Sequence, residues 1–303
     1  MGGDILVRGS VGLARRLQVP DFVVAATVVG FGTSLPELVV SIRAATSGYP
    51  NLILGNVVGS NTANVLLVGG ASALIFPILP EVGPVRRNVV IMALAIIGFA
   101  ILAGLNGLGH FGGVALLLAF FAIMAATARS TLQARRKVDP SMPLDWVLGM
   151  PSRPVTIAVC ILFGTLTLPL GADLLVDSAV EIAQRFYVSE TVIGLTVLAI
   201  GTSLPELTTA VLAALERRSD VAIGAIIGSN TFNVLAIMGA AAALSAEPIP
   251  VSSRFLAFDM PVMMISSAVL ALHAWRGWPM GRMTGGLLLF SYCVYLSALV
   301  VVA

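Results

Sequence analysis

Three observations predict an all-α polytopic membrane protein, with ten transmembrane helices in two inverted five-helix repeats. Of the 303 residues, 58% are hydrophobic and 11% are charged, whereas a soluble domain carries about 25% charged residues. The string Gly32-Thr33-Ser34-Leu35-Pro36-Glu37 returns unchanged as Gly201-Thr202-Ser203-Leu204-Pro205-Glu206, and each copy is followed by Gly-Ser-Asn-Thr-x-Asn, at 59–64 and 228–233. Aligning 2–68 with 171–237 without a gap, at a constant offset of 169 residues, gives about 28 identities. That is far above expectation for unrelated apolar segments, so the chain is an internal duplication.

The first repeat covers 1–132, a polar linker 133–152, and the second repeat 153–303. Gly3-Asp4-Ile5-Leu6-Val7 matches Ala172-Asp173-Leu174-Leu175-Val176, but only Met1 and Gly2 precede it, against about 17 apolar residues before its counterpart. The first helix is therefore expected to be truncated, through a late start codon or a missing N-terminus, and no cleavable signal peptide is expected. Later spans are predicted at about 21–47, 51–76, 87–104 and 113–132, then 155–183, 189–215, 220–245, 255–274 and 281–302. Pro77, Pro80, Gly83 and Pro84 break the chain between the third and fourth spans.

Basic residues set the orientation. With loops numbered alternately, Arg15, Arg16, Arg86, Arg87, then Arg129, Arg135, Arg136, Lys137 and Arg153 of the polar segment 128–154, and Arg217, Arg218, Arg276 and Arg282 fall on one side. Only Arg8, Arg43, Arg185 and Arg254 lie elsewhere. The positive-inside rule places the 128–154 segment in the cytoplasm of a multi-pass cell (inner) membrane protein. Five spans per repeat is odd, so the repeats insert in opposite directions, an arrangement that puts a substrate site near the midplane.

The repeated residues are polar ones within apolar spans, where a membrane protein keeps its chemistry. Thr33, Ser34 and Glu37 share a helix face at spacings of three and four. Pro36 and Pro205 lack an N–H, which frees the carbonyls of Gly32 and Gly201. Ser60 and Asn64, like Ser229 and Asn233, are also four apart. Pooled, the halves supply two carboxylates and many neutral oxygens, a donor set for hard cations such as Ca²⁺. The motifs contain no His or Cys, which disfavours a soft transition metal. Two carboxylates balance one divalent ion or two monovalent ones, as competition between unlike cations requires.

Other polar residues receive humbler readings. Asn61 and Asn230 face differently and are expected to hydrogen-bond between helices. Asp4 and Asp173 are read as ion-pathway residues, caps or ion-pair members. Asp259 receives no role. His110 and His273 are expected to be solvated, and Cys160 and Cys293 to be packing residues. Scattered basic residues exclude a nucleic-acid surface, and no cofactor or obligate protein partner is inferred; the partners are ions and lipid.

The doubled Gly-Thr-Ser-Leu-Pro-Glu and Gly-Ser-Asn-x-x-Asn strings resemble the alpha repeats of the bacterial-type sodium/calcium exchangers, within the cation/calcium exchanger superfamily. The resemblance spans essentially the whole chain. It implies ten helices with both termini outside, one site occupied by Ca²⁺ or Na⁺ in turn, and sliding of the first and sixth helices. It further implies that Glu37 and Glu206 are calcium carboxylates and that Thr33 and Thr202 offer backbone carbonyls. Ser34, Ser203, Ser60 and Ser229 would be sodium ligands, Gly30 and Ala199 sodium-facing carbonyls, and Asn64 and Asn233 the remaining central positions. Asn233 stands where potassium-dependent relatives carry Asp, which argues against potassium co-transport. The proton-coupled branch uses a different motif. A channel would not need two antiparallel halves, and an intramembrane serine enzyme would need a base beside its nucleophile, which neither motif holds.

Overall fold

The computed structural model describes residues 30–79, 82–105, 108–134, 153–215, 217 and 219–302, together with 5, 8, 9 and 12. The expected truncated first helix and the start of the second span thus lie mostly outside the described residues. Within them the chain is helical, with one isolated bridge pairing Ile78 and Met280.

In chain order the helices are α1 (Gly30–Thr33), α2 (Leu35–Thr46), α3 (Pro50–Ile75), α4 (Val82–Gly104), α5 (His110–Ala134), α6 (Pro154–Phe186), α7 (Glu190–Thr202) and α8 (Leu204–Leu215). There follow α9, from Ser219–Phe232 through Asn233–Ile237 into Met238–Leu244, then α10 (Phe255–Arg276) and α11 (Arg282–Val302). Among the described residues, six helices are long and apolar enough to cross a membrane, seven if the bent pair α7–α8 is one span. The polytopic class is thus visible directly. α6 opens with an uncharged, largely apolar run from Pro154 to Ala172, and Asp173, Asp177, Glu181 and Arg185 occupy its later turns.

Burial sorts the helices. The spans of α3 and α9 are 94% and 89% buried, against 17% for α5. Leu94, Phe111, Leu118, Phe121 and Phe290 point outward from α4, α5 and α11, an apolar exterior suited to lipid. Cys293 shares that exposed face and Cys160 is only half-buried, so the packing role expected of Cys293 is corrected: its helix turns that side away from the bundle. His110 is exposed, whereas His273 is half-buried.

The central helices meet their neighbours through glycine. A Cβ on Gly55 of α3 would lie 2.5 Å from the Thr191 carbonyl and 2.7 Å from the Gly194 Cα of α7. A Cβ on Gly285 of α11 would lie 2.7 Å from the Gly70 carbonyl, and one on Gly113 of α5 2.7 Å from the Gly239 carbonyl. Small residues let backbones approach this closely in membranes, where burial gives little drive for association. Gly70 and Gly239 are equivalent at the offset of 169. Each half therefore sends its third helix against the last helix of the other, and the halves interlock.

Arg43 Nε donates to Asp173 Oδ1 at 2.5 Å, joining α2 to α6 across the halves, which realises the ion-pair reading of Asp173. Both side chains are substantially exposed, at 40% and 50%, and such pairs contribute about 0–1 kcal/mol. Arg43→Ala should lower the melting temperature by no more than about 4 °C; a tryptophan-fluorescence melt of purified protein checks it.

Candidate functional site

The two glutamates enter the bundle from broken helices. Sequence spacing suggests one continuous helix through Gly30–Glu37, but the chain leaves helical geometry at Ser34 (φ −88°, ψ 8°) and at Ser203 (φ −84°, ψ 6°). The cause is the proline two residues on: Pro36 and Pro205 sit in the first turns of α2 and α8, where a missing N–H is tolerated. The axis bends by 46° between α7 and α8. Glu37 and Glu206 thus lie one turn inside new helices, each preceded by a serine at the break.

This break redirects the serines. Ser34 Oγ donates to Glu206 Oε1 at 2.7 Å, not to Glu37 on its own strand of sequence. Ser203 Oγ donates to Glu37 Oε1 at 3.3 Å. Each acid is served by the other half, and the two bonds exchange under the offset of 169. Ser229 Oγ adds a bond to Glu206 Oε1 at 3.0 Å and lies against Ser34 Oγ. Ser60 Oγ lies 3.5 Å from Thr202 Oγ1, and Asn64 Nδ2 donates to Ser229 Oγ at 3.4 Å and Asn230 Oδ1 at 3.1 Å. Thr202 approaches Glu37, and Thr33 approaches Glu206.

Both carboxylates are buried, Glu37 at 0% and Glu206 at 2% exposure, among a wall of buried Thr33, Ser34, Ser60, Asn64, Thr202, Ser203, Ser229 and Asn233. Glu37 Oε2, Glu206 Oε2, Asn64 Oδ1 and both amide atoms of Asn233 have no hydrogen-bond partner among the described residues. Four oxygens without donors, two of them carboxylate, are costly in an apolar interior; a bound cation would satisfy them. Ala199, fully buried, opens the last turn of α7, and its carbonyl accepts from Ser203 N at 3.1 Å. Gly30 opens α1.

Asn61 and Asn230 form a reciprocal clasp, each Nδ2 donating to the other's carbonyl at 3.3 Å. The expected helix-to-helix bonding is present. Two residues went unflagged by sequence reasoning. Asn56 lies four residues before Ser60 and eight before Asn64, on the same face of α3, and Ser41 lies one turn beyond Glu37. The spacing was a signal, but comparing the repeats passed over both because the second half has Ala225 and Ala210 there.

Buried, unpaired oxygens at the centre of an interlocked helical bundle define a membrane transporter for small cations. Comparison with known proteins makes the class specific. The family described as sodium/calcium exchanger protein matches residues 1–128 and 156–301. Inner membrane protein YrbG of Escherichia coli is 32% identical over 98% of this chain and 91% of its own, and sodium/calcium exchanger MaX1 of Methanosarcina acetivorans is 30% identical over 98% and 94%. A solved structure of the sodium-calcium exchanger NCX_Mj, soaked with 2.5 mM Na⁺ and 0.1 mM Ca²⁺, superposes with a TM-score of 0.69 at 32% identity, covering 98% of this chain and 92% of that one. The chain belongs to the sodium/calcium exchanger family. That family, with MaX1 and NCX_Mj in it, is one of exchangers, transporters rather than enzymes, and the chain is a multi-pass membrane protein.

Proposed function

We propose that the protein is a secondary-active antiporter that exchanges Ca²⁺ for Na⁺ by alternating access at the Glu37–Glu206 site. The observation that carries this reading is the pair of buried carboxylates, each with one oxygen held by serines of the opposite half and one oxygen unpartnered. Two acids neutralise one Ca²⁺, with Thr33 and Thr202 adding backbone carbonyls. When calcium leaves, the same charge is met by sodium ions on Ser34, Ser203, Ser60 and Ser229 and on the carbonyls of Gly30 and Ala199, with Asn64 and Asn233 completing the centre. A site that serves either cargo, but not both together, couples their flows. The two repeats, 1–132 and 153–303, insert in opposite directions in an inner membrane with the 133–152 linker in the cytoplasm, and access alternates by sliding of the first and sixth helices.

The test is ⁴⁵Ca uptake into vesicles of the purified protein under imposed gradients. Uptake should follow an outward Na⁺ gradient and should not respond to K⁺. Uptake that follows a proton gradient alone would reassign the driving ion, and uptake that needs no counter-ion would replace the exchanger with a channel.

A further inference from the structure

We propose that Asn56 is a positioning residue that sets the Glu37 half of the site, and that the Glu206 half works without an equivalent. The inference rests on the two-glutamate reading above. Asn56 is fully buried in α3. Its Nδ2 donates to the Glu37 carbonyl at 3.2 Å and to Ser41 Oγ at 2.9 Å. Its Oδ1 accepts from Thr202 Oγ1 at 3.3 Å. A carboxamide has two N–H groups and one oxygen to satisfy; both N–H groups are used, and the oxygen faces the Thr202 hydroxyl, whose single proton is shared with the Leu198 carbonyl at 2.9 Å. The bonds reach the main chain of the acid itself, the turn that follows it, and the end of α7 from the opposite half.

The equivalent side chains in the second half are Ala225 for Asn56 and Ala210 for Ser41, and a methyl group cannot hydrogen-bond. Glu206 is steadied at its carboxylate by Ser34 at 2.7 Å and Ser229 at 3.0 Å. At its carboxylate Glu37 takes a longer 3.3 Å bond from Ser203 and the approach of Thr202, and it is steadied in addition through its backbone. The two acids are therefore fixed in different ways, one chiefly by its head and one also by its base. A calcium ligand must sit within about 2.3–2.6 Å of the ion, so freedom of α2 to turn against α3 weakens the site without dismantling the bundle. Asn56 itself directs both ends of its amide into protein partners and holds no ion.

Asn56→Ala and Ser41→Ala, made in the full chain, test this with two readouts: the Ca²⁺ concentration that half-saturates ⁴⁵Ca uptake, and the Ca²⁺ concentration giving half the maximal rise in melting temperature. Losing the buried bonds of Asn56 should raise both by about tenfold and leave the maximal uptake rate within about twofold, and Ser41→Ala should raise them by about threefold. A lower melting temperature in the absence of Ca²⁺ with unchanged half-saturation would mean that Asn56 is only structural, and would overturn the proposal. If Asn56→Ala fails to fold, Ser41→Ala decides by the same criterion. Wild-type protein that neither transports nor responds to Ca²⁺ would sink the two-glutamate reading and this inference with it, whereas responsive wild type with indifferent variants sinks this inference alone.

Discussion

Glu206→Gln should cut Ca²⁺ uptake at least about 100-fold while leaving folded yield and melting temperature close to wild type. Glutamine keeps one oxygen in the place where Ser34 and Ser229 donate, so the interhelical bonds that hold α1 and α9 to α8 persist. What is lost is the negative charge and the second acceptor oxygen. With one carboxylate remaining, a divalent ion keeps a net positive charge in an apolar interior, and leaving a buried charge without its partner costs about 3–5 kcal/mol, or more than two decades in binding at about 1.4 kcal/mol each. Glu37→Gln should fail in the same way. ⁴⁵Ca uptake and size-exclusion profiles of both variants check the expectation; near-normal uptake by both would refute the assignment of the acids.

The largest effect on folding is expected from Gly55→Val. Even the first carbon of the new side chain would sit 2.5 Å from one backbone carbonyl and 2.7 Å from the Cα of Gly194, and neither can swing aside as a flexible side chain would. The facing Gly194 is equally tight, its own Cβ falling 2.9 Å from the Gly55 Cα. Overpacking a buried contact costs about 1–3 kcal/mol when side chains can yield, and more when the obstacle is main chain. Monodisperse protein recovered from membranes should fall to a small fraction of the wild-type amount. The same change at Gly98, where a Cβ meets nothing within 4 Å, should be tolerated and serves as the control.

The class of fold was legible because lipid imposes it: spans must be helical and apolar, and the duplicated motif stood out against that background. The edges of the spans beyond residue 50 fell within a few residues of their expected places, since charged and proline residues mark them. Less legible was the course of the motif itself. A face computed for an unbroken helix puts Ser34 beside Glu37, whereas the chain breaks at Ser34 and hands its hydroxyl to Glu206. Proline was read as freeing a carbonyl; its larger consequence is to end one helix and begin another. Asn56 stayed hidden for a different reason. Comparing repeats finds what the halves share, and Asn56 belongs to what they do not.

The widened turns of α3 and α9 carry an arithmetic of their own. Both begin at equivalent asparagines, over Asn64–Gly69 and Asn233–Ile237, and bond five residues ahead instead of four, so each absorbs an additional residue. In an evenly wound helix every residue beyond Asn233 would be advanced by about 100° around the axis. The slot that Gly239 fills against Gly113 would then go to Met238, and a thioether would be wedged between two main chains. The looser winding is thus a spacer that keeps the buried polar stripe and the bare docking seam of one rod in phase.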